Sequence, residues 1–258
     1  MIQIHKTAIV SNKARIGKDI IVEPYAIIHD DVEIGDNCYV GPLAVIYDGA
    51  RIGSNVKIHQ GASVSNIPQD IKFANEETHF FIGDNTVIRE FVTLHKGTKE
   101  TKKASIGKNC LLMAYCHVAH DCKVGDNVIM ANAVQLAGHV HIGDFATIGG
   151  GALIPQFITI GRQIMLGGGF KPTKDIPPFT LIGGYPAKFE GLNVVGLRRR
   201  GFSNEDIQTI KDIYTILYMS GYNFSQGVLK ILDKYPDNNY AKEITDFVKN
   251  SKRGIIGK

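Results

Sequence analysis

The sequence predicts a mainly β fold: a parallel β-helix of six-residue repeats followed by a small α-helical C-terminal domain. Three observations carry that prediction. An aliphatic residue recurs with a six-residue period between Ile4 and Leu166, a small residue usually follows four places after it, and the periodicity turns helical beyond residue 200. Ile, Val, Leu or Met fills 25 of the 28 slots in that register, a density that chance placement does not produce.

Taken along the chain, the register runs unbroken from Ile4 to Val64, returns at Ile82, Ile88 and Leu94, and resumes from Ile106 to Leu166. A unit with one large and one small inward side chain fits a short strand and a turn. Glycine often follows the aliphatic residue, as at Gly17, Gly35, Gly53, Gly83 and Gly125, and is expected to supply the backbone freedom of the corner. One such unit cannot bury its apolar side alone, whereas stacked units pair every strand with the rungs above and below. All four cysteines, Cys38, Cys110, Cys116 and Cys122, occupy the small-residue slot, which reads as core packing in a reducing compartment rather than as metal or redox chemistry.

The vacant slots fall at Asp70, Glu76 and Glu100, so loops leave the coil near 66–81 and 99–105. After Leu166 the pattern decays, and Pro172, Pro177, Pro178 and Pro186 mark a boundary. Ser203 is the expected N-cap for an apolar stripe at Ile207, Ile210, Ile213, Tyr214 and Leu217, with amphipathic segments following near 224–234 and 238–250. The expected division is therefore 1–186 for the coil and 187–258 for the helical domain.

The composition, 258 residues with 44% hydrophobic and 21% charged, argues against disorder. A net charge of +4 implies no nucleic-acid partner by itself. No apolar run is long enough for a membrane span, and MIQIHKTAIV lacks the features of a signal peptide, so a cytoplasmic protein is expected.

The stretch LLMAYCHVAHDCKVG brings His117, His120 and Asp121 within five residues, none in an inward slot. Because the repeat is uninterrupted from 106 onward, residues 18 apart lie on adjacent rungs, about 4.8 Å apart. Gly138 then stacks over His120, and His139 over Asp121. A histidine can accept a proton near neutral pH, a carboxylate can fix its tautomer, and a glycine above it leaves room and exposes an N–H for an oxyanion. The same residues also fit an exposed polar stripe. A metal site on His117, His120 and His139 is a further reading, but histidines three apart across a corner do not match the five-residue spacing of zinc-binding β-helix hydratases. The glycine runs follow the six-residue register and do not form phosphate loops. Arg198, Arg199 and Arg200 make a compact cationic group suited either to solvent or to phosphate.

Hexapeptide repeats of this form resemble those of the left-handed β-helix acyltransferases, and the left hand of the coil rests on that resemblance. Five segments narrow it: IPQDIKF at 67–73, IREFVTLHKGT at 88–98, HVAHDCKVGD at 117–126, LAGHVHIGDFA at 136–146 and GLNVVGLRRRGFS at 191–203. Together they are similar, over essentially the whole length, to the UDP-N-acetylglucosamine O-acyltransferases that open lipid A synthesis. The resemblance implies transfer of a 3-hydroxyacyl chain from acyl carrier protein to the sugar 3-hydroxyl by direct attack; no cofactor or metal is expected, and because a solenoid's flat walls need covering, which three coils side by side would do, a homotrimer is expected. The resemblance implies His120 as general base, Asp121 as its companion and the Gly138 amide as the oxyanion group. It further implies contacts from Gln69, Asp70, Lys72, His95, His117, His139 and Gln156 to the nucleotide sugar or acyl donor, phosphate contacts from Arg199 and Arg200, and a limit on acyl-chain depth at Gly168. Val195 and Pro155 depart from the family pattern, where Glu and His are frequent. An N-acyltransferase acting on a 3-amino sugar and a metal-binding β-helix hydratase are the alternatives.

Overall fold

The computed structural model describes residues 2–257. Short parallel strands wind into a left-handed β-helix with three flat walls. The first wall has eleven strands, from Gln3–Ile4 to Lys188–Leu192; the second has eight, from Ile9–Val10 to Leu153–Ile154; the third has eight, from Arg15–Ile16 to Thr159–Ile160. Register follows the repeat. His117 pairs with Gln135 and Val118 with Leu136, each 18 residues on.

Two excursions lengthen this step. Residues 67–78 leave between strands Ser63–Asn66 and His79–Ile82, so that Lys57 pairs with Val87, thirty residues on. Residues 96–102 leave between Thr93–His95 and Lys103–Ile106, so that Thr93 pairs with His117, twenty-four residues on. Both depart where the second wall turns toward the third. The core between the walls is the predicted one: the large slots (Ile28, Ile46, Leu94, Leu112, Met130) and the small slots (Ala26, Ala44, Cys110, Cys116, Cys122) are buried. The thiols are free, and burial pushes Cys110 and Cys116 up to about 11 and Cys122 up to about 12. The first rung differs, because nothing stacks beneath it: Ile4 is exposed.

The glycines require a correction. The left-handed residue of each corner lies three places after the aliphatic one, at Asp19, Tyr25, Asn37, Leu43, Asp121 and His139 among others, and is seldom glycine. The glycines directly after the aliphatic residue serve close approach instead. A Cβ on Gly35 would lie 2.7 Å from the carbonyl carbon of Gly53 one rung up, and one on Gly83 would lie 2.6 Å from that of Gly107. Coils 4.8 Å apart leave no space there.

The C-terminal part opens with an antiparallel hairpin, Thr180–Gly183 with Lys188–Leu192, which extends the first wall. Helix α1 (Val194–Arg199) follows, then α2 (Asn204–Met219), α3 (Phe224–Lys234) and α4 (Asn239–Asn250). Ser203 caps α2 through a reciprocal capping box with Asp206, and Asn223 and Gln226 do the same for α3. Tyr214 and Tyr218 pack with Phe189, and Arg162 holds Glu243 through two hydrogen bonds of 2.7 and 2.8 Å. These contacts fasten the helices to the end of the coil.

Candidate active site

His120 and Asp121 form the corner between the strands His117–Val118 of the second wall and Lys123–Val124 of the third. Asp121 has φ +59°, which turns its side chain back beside its neighbour. Nδ1–H of His120 donates to Oδ2 of Asp121 at 2.8 Å, closing a contact that alternation along the chain left open. The Asp121 side chain is fully enclosed, and its oxygens are met by Thr98 N (2.9 Å), Thr98 Oγ1 (2.8 Å) and Thr101 Oγ1. Burial works to raise the Asp121 carboxyl, but these hydrogen bonds and the one from His120 win and hold it far below the usual carboxylate range. The same hydrogen bond raises the His120 imidazole above its ordinary value, against the opposing effect of burial.

One rung up, Gly138 covers the imidazole: a Cβ there would lie 2.5 Å from Cε1 and 2.7 Å from Nε2. His139 N–H donates to the His120 carbonyl at 3.1 Å. The His139 ring stands edge-on to His120 at 5.2 Å, stacks on Phe157 at 4.7 Å, and points Nε2 at both Asp121 and Glu100, 3.6 Å from each.

His120 opens onto a cleft of about 440 Å³ along the second wall. Six of the residues singled out in the sequence line it: Gln69, His95, His117, His120, Gly138 and Gln156. Asp121 and His139 stand behind His120. Asp70 and Lys72 lie on the 67–78 excursion, where Asp70 accepts from the Lys72 N–H at 3.0 Å and adds to the field that favours protonated His120. Arg199 and Arg200 are not in this cleft within the single chain; they end α1, with Arg200 over the Phe145 ring at 5.2 Å. Gly168 is also outside it, packed over Gly150, whose carbonyl oxygen would lie 3.0 Å from a Cβ.

Burial pushes His117 down to about 4 and lowers His95 as well, so both rings are neutral near pH 7. Their rings meet edge to face at 5.0 Å, and His117 Nδ1 shares a hydrogen bond of 2.7 Å with Thr93 Oγ1. Thr93, Thr98, Thr101, Gln135 and Lys171 are the site residues that the sequence reading missed. Thr93 is one rung below His117, but the intervening excursion hides that register. His120, Asp121 and His139 offer ligand atoms within 4.8 Å of one another, the one metal-competent group among the described residues. Its central carboxylate is already engaged by hydroxyl, amide and imidazole donors, which suits proton transfer better than cation binding.

The chain is similar to known proteins over almost its whole length. Residues 175–256 match the family described as "Udp N-acetylglucosamine O-acyltransferase; Domain 2", and residues 13–46, 31–66 and 103–138 match bacterial transferase hexapeptide repeats. An acyl-[acyl-carrier-protein]–UDP-N-acetylglucosamine O-acyltransferase of Aliarcobacter butzleri is 49% identical over 99% of this chain and 98% of its own length. That of Thiobacillus denitrificans is 47% identical over 99% and 100%. The chain belongs to the UDP-N-acetylglucosamine O-acyltransferase family. Solved members superpose closely: the Bacteroides fragilis enzyme gives a TM-score of 0.96 at 41% identity over 98% of this chain and 100% of that one. The Francisella novicida enzyme gives 0.96 at 34% over 100% and 94%. Membership makes this chain an acyltransferase built on the left-handed coil of its family.

Proposed function

We propose that this chain transfers a 3-hydroxyacyl group from the thioester of acyl carrier protein to the 3-hydroxyl of UDP-N-acetylglucosamine, the first step of lipid A synthesis. The observation that carries the reading is the His120–Asp121 pair facing Gly138 across a cleft edge. Asp121 fixes the proton of His120 on Nδ1, which leaves Nε2 as the basic nitrogen. Nε2 takes the proton of the sugar hydroxyl as its oxygen attacks the thioester carbonyl. The Gly138 carbonyl is occupied by Phe157 N–H at 3.2 Å, while no hydrogen bond among the described residues engages its N–H, which serves the developing oxyanion. Collapse breaks the C–S bond, and the proton passes to the departing thiolate. The products are the ester and the carrier-protein thiol, with no covalent enzyme intermediate. In the same reading Gln69, Asp70, Lys72, His95, His117, His139 and Gln156 contact substrate, and Gly168 bounds the acyl chain.

We further propose a homotrimer. The outward column of the first wall is mostly apolar, carrying Ile21, Tyr39, Val87, Leu111, Ile129 and Met165 beside Lys57; that of the second carries Ile9, Ile27 and Val45 on its lower rungs and Thr93, His117 and Gln135 at the cleft, whereas the third carries Arg15, Glu33, Arg51, Lys123 and His141. Where the first and second walls meet, Tyr25, Leu43, Phe91 and Tyr115 form an exposed ridge, Phe91 stacked on Tyr115 at 5.3 Å. Three copies joined along this ridge bury the first wall and the lower rungs of the second and leave the charged third wall in solvent. Each cleft then lies between one copy's second wall and the next copy's first wall, within reach of a neighbour's Arg199 and Arg200. We take 1–186 as the catalytic coil and 187–258 as the helical domain, and assign the enzyme to the cytoplasm, where an acidic carrier protein meets a surface of net charge +4.

The test is incubation with a panel of hydroxyacyl carrier proteins and either UDP-N-acetylglucosamine or its 3-amino analogue, followed by mass spectrometry. An ester of the 3-hydroxyl sugar is expected. Turnover of the amine alone, or of neither, overturns the reading.

A further inference from the structure

The 96–102 excursion folds over the enclosed side of the catalytic pair, and one of its residues grips both oxygens of the Asp121 carboxylate. Thr98 N–H donates to Oδ1 at 2.9 Å and Thr98 Oγ1–H donates to Oδ2 at 2.8 Å, while Oδ2 also accepts from His120 Nδ1 at 2.8 Å. Two donors from one residue to two oxygens fix the plane of the carboxylate as well as its position. Thr98 is itself buried, and its carbonyl takes Lys102 N–H at 2.8 Å, which closes the excursion on itself. Thr101 completes the enclosure, but its single hydroxyl proton is shared between Asp121 and the Lys103 carbonyl at 2.7 Å. The two-point grip belongs to Thr98.

We infer that Thr98 is the positioning residue of the reaction: it orients Asp121 so that Oδ2 meets Nδ1 of His120 and Nε2 faces the cleft. This rests on the reading of His120 as base. Thr98 does not line the cleft, so it acts through Asp121 and touches no substrate. A carboxylate whose side chain is fully enclosed depends on protein donors to hold its rotamer, and losing one of them lets it turn. The other ionisable groups facing the pair are Asp70, His95, Glu100, His117 and His139, and a change at Thr98 alters the charge of none of them.

Thr98→Val keeps the shape and the N–H and deletes the hydroxyl donor; Thr98→Ser keeps both donors. With UDP-N-acetylglucosamine and a hydroxyacyl carrier protein, Thr98→Val is expected to lower kcat roughly ten- to a hundredfold. KM for both substrates stays within about twofold, the acid limb of the kcat/KM profile moves to lower pH, and Thr98→Ser restores kcat. Wild-type kcat in Thr98→Val, a loss that serine does not restore, or a loss with the acid limb unmoved overturns the inference. A His120→Ala control separates the two readings: if it is inactive while Thr98→Val is unimpaired, only the role of Thr98 falls. If His120→Ala is fully active, the base assignment falls first.

Discussion

Gly138 and His120 sit on adjacent rungs so closely that a methyl group at 138 would lie 2.5 Å from Cε1 of the imidazole. The contact is with a side chain and not with backbone, so an added methyl displaces the ring rather than the coil.

Gly138→Ala is therefore expected to cost activity and spare stability. A misplacement of about 1 Å at a reacting group lowers the rate by roughly 10². Steady-state kinetics beside thermal unfolding checks this: kcat falls by about that factor while Tm moves little. Near-normal kcat would show that the ring has room the geometry denies it.

The pH profile follows from the pair. His120 acts as a base only when neutral, and its hydrogen bond to Asp121 raises it above the ordinary value of 6.5. The acid limb of kcat/KM is expected above that value. Asp121→Asn removes the cause of the rise, so the limb moves down while kcat drops. A limb that stays in place in Asp121→Asn would detach the carboxylate from the titration.

Much of this was readable from residue order alone, for a physical reason. A six-residue period forces every large aliphatic residue inward, so the core and the stacking of Gly138 over His120 follow from counting. The grip of Thr98 on Asp121 does not, because the excursion breaks the count between residues that end up in contact. The hairpin Thr180–Gly183 with Lys188–Leu192 escaped for a related reason: it joins the first wall after the period has ended, in an antiparallel sense that the period cannot signal. In sequence the corner glycines suggest a conformational role, whereas the left-handed φ falls mostly on Asp, Asn, Tyr, Leu and His two places on, and only the stacked structure shows what each glycine avoids.

His117 is held near 4 by burial and His95 is lowered in the same way, so the folded chain binds fewer protons than the unfolded one between about pH 6.5 and 4. Stability therefore rises with pH across that window and is lost as pH falls through it. His117→Gln, which cannot titrate there, is expected to show a shallower loss between pH 6.5 and 4 in chemical denaturation. A slope as steep as the parent's would contradict the neutral ring.

The apolar ridge gives the assembly prediction. Leu43 and Phe91 are 61% and 47% exposed in the single chain. The double variant Leu43→Arg, Phe91→Arg places charge where three copies meet, and Leu43 is several rungs from His120. Light scattering is expected to report a monomer, and activity to vanish because each cleft loses its opposite wall. A fully active monomer, or an undisturbed trimer, would refute the arrangement.

The most direct measurement is the single-turnover rate of His120→Ala with UDP-N-acetylglucosamine and a hydroxyacyl carrier protein, on protein whose circular dichroism and light scattering match the parent. The account predicts a rate lower by roughly 10² to 10⁴, the range of general-base assistance. A folded, correctly assembled variant turning over within a few-fold of the parent would contradict it.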